Sequence, residues 1–159
     1  MAKALFPAPD HDHARCVDHG MRRAHDVFEQ RGERLTKLRE AVFRTLAESH
    51  EALGAYQIIE KLREKGRRIA PISMYRVLGV LQEAGLVHRI ESRNAFAACH
   101  GGACGTRPVL FLVCDSCGRV AETEDDSLGD QVRRMAKSAN FQTKDTVLEV
   151  RGQCAHCAR

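Results

Sequence analysis

The chain has 159 residues, 43% of them hydrophobic and 29% charged, which suits one ordered domain or two small ones. No apolar run approaches the length of about 18 residues that spans a bilayer, and the start, MAKALFPAPDHDHAR, lacks the apolar stretch of a secretory signal, so no membrane partner and a cytoplasmic location are expected. The net charge of +4 lies in residues 1–100, with 17 Lys/Arg against 13 Asp/Glu, while residues 101–159 hold eight of each; a basic half fits a polyanion such as DNA.

Residues 1–20 read as a flexible His-rich arm holding Pro7, Pro9, His11, His13, Cys16 and His19. Mild helical spacing follows from Met21 to Gln30 (Met21, Ala24, Val27, Phe28), ended by Gly32. Thr36 has the character of an N-cap for a helix carrying Leu38, Ala41, Val42, Thr45 and Leu46. A second helix fits Ala55 to Lys65, with Tyr56, Ile58, Ile59 and Leu62 inward and Gly66 as its stop. Pro71 stands just before a third, Ile72 to Ala84, whose buried stripe is Met74, Val77, Leu78 and Leu81. Two short strands, Leu86–Glu91 and Ala95–Cys99, turn at Ser92–Asn94. Three helices and a hairpin are the order of a winged helix-turn-helix over 21–100, with 72–84 as recognition helix; the plainer reading is a small helical domain with an accessory hairpin.

Residues 101–108 read as a hinge, and 109–159 change character. Pro108 to Cys114 is a continuous apolar run, a buried strand. Arg119 to Thr123 is a short strand after a Cys-Gly turn. Asp125 to Ala139 is a helix with Val132, Met135 and Ala136 on its apolar face, and Thr143–Arg151 a last strand around Val147, Leu148 and Val150. The expected fold class is therefore α+β, a winged helix followed by a small α/β dimerisation domain. A unit of about 50 residues usually needs a staple or a partner.

Seven cysteines, an odd number, are many for a cytoplasmic chain, and in a reducing compartment they argue for metal over disulfides. Cys114-x-x-Cys117 and Cys154-x-x-Cys157 supply the staple: two knuckles complete a tetrahedron around a structural zinc. The 36 residues between them are about what a strand, a helix and a returning strand require. A closed four-cysteine site supplies folding energy and no catalysis; a redox CxxC would sit at a helix N-terminus, whereas both pairs here follow strands.

A second constellation remains. His88, Cys99, His100 and Cys104 lie in and just after the expected wing, and Glu122 on the strand after the first knuckle, on either side of the Gly101-Gly102 hinge. Thiolate with imidazole and carboxylate suits zinc, which makes these a candidate regulatory zinc site. His11, His13 and Cys16 form a third candidate cluster.

Leu35-Thr36 through Arg39, Ala55-Tyr56, Ser73-Met74-Tyr75-Arg76-Val77-Leu78 and Gly85 through Ser92 together resemble the ferric-uptake-regulator superfamily. Cys99 and Cys114-Asp-Ser-Cys117-Gly look most like its zinc-uptake-regulator branch. The resemblance covers roughly residues 21–157. It implies a homodimer that represses zinc-import genes by binding palindromic double-stranded operators when zinc is plentiful, with no small-molecule substrate. Cys114, Cys117, Cys154 and Cys157 match its structural zinc ligands; His88, Cys99 and Glu122 match three regulatory ones. Arg107 stands where the branch has a histidine, so the fourth regulatory ligand is Cys104 or His100. Of the two, Cys104 is favoured because a second thiolate strengthens zinc preference. Tyr56 and Arg76 match DNA-contacting positions. Ser73, Tyr75, Lys37 and Arg89 complete the candidate DNA set, Arg76 toward guanine and the lysine and arginine toward phosphate. Gly79 departs from an acidic residue common in the recognition helix.

The segment before the first knuckle has no histidine-rich run, which favours zinc over the iron-, manganese- or peroxide-sensing sisters. No residue pattern of a zinc deaminase, a HExxH protease, a GxSxG hydrolase or a phosphate-binding loop is present, so an enzyme is not expected. A zinc-ribbon nucleic-acid-binding module would explain the knuckles and the basic charge, but not a second metal constellation.

Overall fold

The first helix, α1 (His13–Gln30), buries Val17, Met21, Ala24 and Phe28 on one stripe. The computed structural model describes Phe6 and residues 13–99, 109–144 and 146–158. Helix α1 takes up residues 13–20 of the expected arm, whose residues 1–5 and 7–12 lie outside the described ones. Polar residues such as Arg15, Asp18 and His19 give residues 13–20 a loop-like composition. They face solvent, while Val17 extends the apolar stripe one turn back from Met21. The left-handed Gly32 (φ 64°) ends the helix as the Glu33 amide returns to Phe28 O at 2.9 Å.

Helix α2 (Lys37–Ala47) starts as its sequence asks: Thr36 is extended and its hydroxyl accepts from the Arg39 amide at 3.3 Å. Helix α3 (Ala55–Glu64) starts at Gly54, whose amide donates to Gln57 Oε1 at 2.7 Å. Its buried stripe is Ala55, Ile58 and Leu62. Tyr56, expected inward, points out instead, because Ala55 takes the core place on the first turn and the next residue lies about 100° around the helix. Helix α4 (Pro71–Glu83) takes Pro71 as its first residue, where the missing amide costs nothing, and buries Met74, Val77, Leu78 and Leu81.

Strands β1 (Val87–Ile90) and β2 (Ala95–Ala98) form an antiparallel hairpin with His88 opposite Ala97. Its turn is a short 3-10 segment, Glu91–Arg93, closed by Asn94 in the left-handed region. A paired bridge between Leu53 and Phe96, 2.8 Å in both directions, pins this wing to the α2–α3 connection. Twenty buried residues of α1–α4 and the wing make one core.

Residues from 109 onward form a second compact unit. Strand β3 (Val109–Cys114) lies between β4 (Val120–Glu124), antiparallel to it, and β5 (Val147–Gly152), parallel to it. Helix α5 (Asp126–Ser138) makes the crossover that a parallel pair requires. Its N-cap Asp125 accepts from the Ser127 hydroxyl at 2.6 Å and from the Ser127 and Leu128 amides, which hold its carboxyl below the usual range. The expected apolar face of α5 is not covered: Met135 is 72% exposed, and Val132 and Ala136 are half-buried. Among the described residues no helix is long and apolar enough to cross a membrane.

Candidate metal centre and nucleic-acid interface

Because β3 and β5 run parallel with Cys114 opposite Gly152, both knuckles emerge at the same end of the sheet. That register is why two CxxC pairs so far apart in sequence meet. Each knuckle is wound tightly: the Gly118 amide donates to Cys114 O at 3.0 Å, and the Cys157 and Ala158 amides to Cys154 O at 2.9 and 3.0 Å. Gly118 takes φ 73°, a conformation that favours glycine after the first knuckle.

The four sulfurs lie within 4.8 Å of one another, and Cys117 Sγ is 3.8 Å from Cys154 Sγ. A tetrahedron with Zn–S bonds of about 2.3 Å has edges of about 3.8 Å, so the sulfurs are spaced for zinc. The Cys154 amide donates to Cys114 Sγ at 3.4 Å. With help from the Cys117 amide it brings the Cys114 thiol down to about 6 from 9.0. Burial pushes Cys117 up. The sulfurs of Cys154 and Cys117 push Cys157 up to about 12. The Cys114 thiolate is thus readily formed, and Cys117 and Cys157 need a cation beside them, which is what a bound dication supplies. Arg151 of β5 donates through Nε and a terminal nitrogen to Asp115 Oδ1 at 3.0 and 2.9 Å, tying the first knuckle to the strand that leads into the second.

In the first unit, His88 lies on β1 opposite Ala97, and Cys99 follows two residues later, so the two share one face of the hairpin. A ring nitrogen of His88 and Cys99 Sγ lie within 4.8 Å. Arg23 of α1 donates to Cys99 O at 3.0 Å and Gly85 O at 2.9 Å, clamping the backbone on both sides of the hairpin base. These partners are 76 and 62 residues away in sequence, and no local signal announces them. Cys99 is held in a disulfide in this metal-free structure. A thiol within reach of a second sulfur can close on it or on a metal, and zinc takes the reduced form. Glu122 lies on β4, half-buried. His100, Cys104 and Arg107 fall outside the described residues.

Of the third candidate cluster, His13 begins α1 and stacks on His50, with ring centroids 3.9 Å apart. Cys16 is exposed, and His11 lies outside the described residues. Among the described residues Cys16 joins no group of three metal-binding side chains.

The residues expected to meet DNA are displayed on the helix-turn-helix and the wing. Tyr56 is the second residue of α3 and 69% exposed; Tyr75 and Arg76 are exposed on α4, and Ser73 is half-buried there. Lys37 opens α2, exposed. Arg89 is exposed on the wing but engaged, with Asn94 Oδ1 at 3.1 Å and Glu91 at 3.2 Å.

The sequence matches the model of the ferric uptake regulator family over residues 30–151. This chain belongs to that family. Within it, the chain is 34% identical to the zinc uptake regulation protein of Escherichia coli over 134 residues, 84% of this chain and 78% of that protein. A solved zinc uptake regulator complexed with zinc and DNA matches with a TM-score of 0.84 and 32% identity, over 89% of this chain and 95% of that one. The holo form of XcZur matches with a TM-score of 0.81 and 38% identity, over 89% and 98%. As members of the family do, the chain joins a winged helix to a small mixed unit that carries its cysteine cluster.

Proposed function

We propose that this chain is a cytoplasmic, zinc-responsive transcriptional repressor and not an enzyme. As a homodimer it binds palindromic operators of zinc-uptake genes when zinc-loaded. The observation that carries the reading is the approach of a His88 ring nitrogen to the Cys99 sulfur within 4.8 Å in the winged unit, in a group distinct from the four-cysteine staple; the reduced form of Cys99 is the one zinc would take. Zinc taken by that pair, with Glu122 and with Cys104 or His100, is the regulatory ion. The similarity to zinc uptake regulators, one of them solved with zinc and DNA, supports this reading over the iron- and peroxide-sensing one.

Dimerisation is supported by what the second unit leaves uncovered. Val147 and Val150 on the edge strand β5, Met135 on α5 and Phe141 after it are all exposed, and an edge strand is a template for another chain. On DNA, α4 enters the major groove and Arg76 donates to a guanine. Tyr56, Ser73 and Tyr75 contact the same site, and Lys37 and Arg89 meet phosphates. Zinc tightens operator binding only by as much as it prefers the binding-competent arrangement, a coupling of about 1–3 kcal/mol in typical allosteric proteins.

Operator binding under reducing conditions, titrated with buffered Zn²⁺, Fe²⁺ and Mn²⁺, tests the function. Zinc is expected to be the effective ion. Cys99→Ser is expected to stay folded and dimeric, with its staple zinc intact, and to lose the zinc response. A full zinc response in Cys99→Ser, or equal responses to iron and manganese, overturns the reading.

A further inference from the structure

The first unit shows three large apolar side chains to solvent among its described residues: Tyr56 at 69%, Ile72 at 65% and Tyr75 at 47%. All three lie on α3 or α4. A tyrosine has a hydroxyl to spend on water or phosphate. Ile72 has no polar atom, so its exposure brings no such compensation, and the core cluster does not include it.

The helix geometry says where it points. With Met74, Val77, Leu78 and Leu81 buried and about 100° between successive residues, Ile72, Arg76 and Gly79 project from the opposite side, and Tyr75 flanks them. A side chain at Gly79 would meet nothing within 4 Å, so no neighbour in the described structure asks for a glycine there, although glycine weakens a helix interior. The outward face of α4 is thus an apolar knob, then a guanidinium, then bare backbone, a profile suited to close approach by another surface.

We propose that Ile72 is a specificity-determining residue that packs on the 5-methyl group of an operator thymine. The proposal rests on the repressor reading above and deepens it. The N-terminal residues of a recognition helix reach base edges, and the thymine methyl is the one apolar group that the four bases present in the major groove. Ile72 precedes Arg76 by four residues, about 6 Å along the helix. Base pairs repeat every 3.4 Å or so, so this thymine lies within about two base pairs of the base that Arg76 contacts.

The test uses the full-length, zinc-loaded, reduced protein and an operator selected from a randomised duplex pool. Each thymine is replaced in turn by deoxyuridine, which removes the methyl group and keeps the pairing edge. For the wild type, one position near the Arg76 base in each half-site is expected to lose about fourfold in affinity, the weight of one buried methyl. Ile72→Ala, unchanged in melting temperature because the side chain is exposed, is expected to bind thymine and uracil equally at that position. It keeps any methyl sensitivity at thymines met by Tyr56 or Tyr75. Specific zinc-dependent binding in which Ile72→Ala alters no uracil-sensitive position overturns the assignment and leaves the repressor reading standing. Failure of the wild type to bind any sequence specifically overturns both.

Discussion

The two units of this chain are held together by different means. All twelve of the largest fully buried side chains among the described residues, from Phe28 to Val87, belong to the winged unit. The second unit buries Val109, Phe111, Val113, Cys114, Ala121 and Cys154, two of them cysteines of the sulfur cluster, and among the described residues its helix buries Gly129 alone. The first is stabilised by apolar burial. The second is too thin for that, and its sulfur cluster and its uncovered apolar side chains show where the missing stability comes from: a metal, and a partner surface.

The largest expected effect follows from that contrast. Cys114→Ser should strip the staple zinc, a loss on the order of 10 kcal/mol for a structural site, and should unfold or monomerise the second unit while the winged unit keeps its helices. Metal analysis, sedimentation and far-UV circular dichroism of the full chain decide it; a mutant that stays dimeric with its zinc bound breaks the comparison. Phe43→Ala is the reciprocal change. Phe43 is fully buried in the winged core, so its truncation should cost about 3–5 kcal/mol in urea unfolding of the winged unit and leave the staple zinc content unaltered. A fall in zinc content with Phe43→Ala would mean that the two units do not stand separately.

A smaller effect sharpens the account of the sulfurs. At pH 7.5 the Cys114 thiol, at about 6, has already lost its proton, whereas Cys157, at about 12, and Cys117, raised by burial, retain theirs. Zinc binding must therefore expel at least those two protons, and staple affinity should fall by at least about a hundredfold for each unit of acidification near neutrality. The sign follows from mass action: more protons compete for the same sulfurs. Below pH 6 Cys114 adds a further proton and the fall steepens. Zinc titration calorimetry in buffers of different ionisation enthalpy counts the protons, and release of fewer than two contradicts the ordering of these thiols.

Much of this was legible in the sequence, for identifiable reasons. Thr36, Gly32, Gly66 and Gly85 mark helix ends through local chemistry, and at those ends the observed boundaries fall within a residue or two of the expected ones; the start of α1 at His13 and of β5 at Val147 lie farther from theirs. The α4 stripe of Met74, Val77, Leu78 and Leu81 is periodic enough to read directly. The two CxxC pairs announce a metal because few other uses place four thiols at that spacing. The misreadings came where composition and burial part company. The polar run through residues 13–20 hid a helix that needs only Val17 and Met21 on its inner side. The apolar ring of Tyr56 suggests an inward side chain, although Ala55 holds the core place. Met135 has the spacing of a buried face that the described residues of one chain do not cover.

The sequence by itself determined most of the elements, the four-cysteine spacing of the staple and the family, because helix caps, periodicity and cysteine spacing act between residues near one another in the chain. The tertiary structure decided what depends on distant meetings. The parallel register of β3 and β5 brings Cys114 and Cys154 to one end of a sheet. The paired bridge of Leu53 and Phe96 seats the wing, and the Arg23 clamp on Gly85 and Cys99 fixes its base. The exposure of Ile72 likewise follows from which side of α4 the core takes up. The register, the bridge and the clamp are encoded in no local pattern, since each is set by packing between segments tens of residues apart.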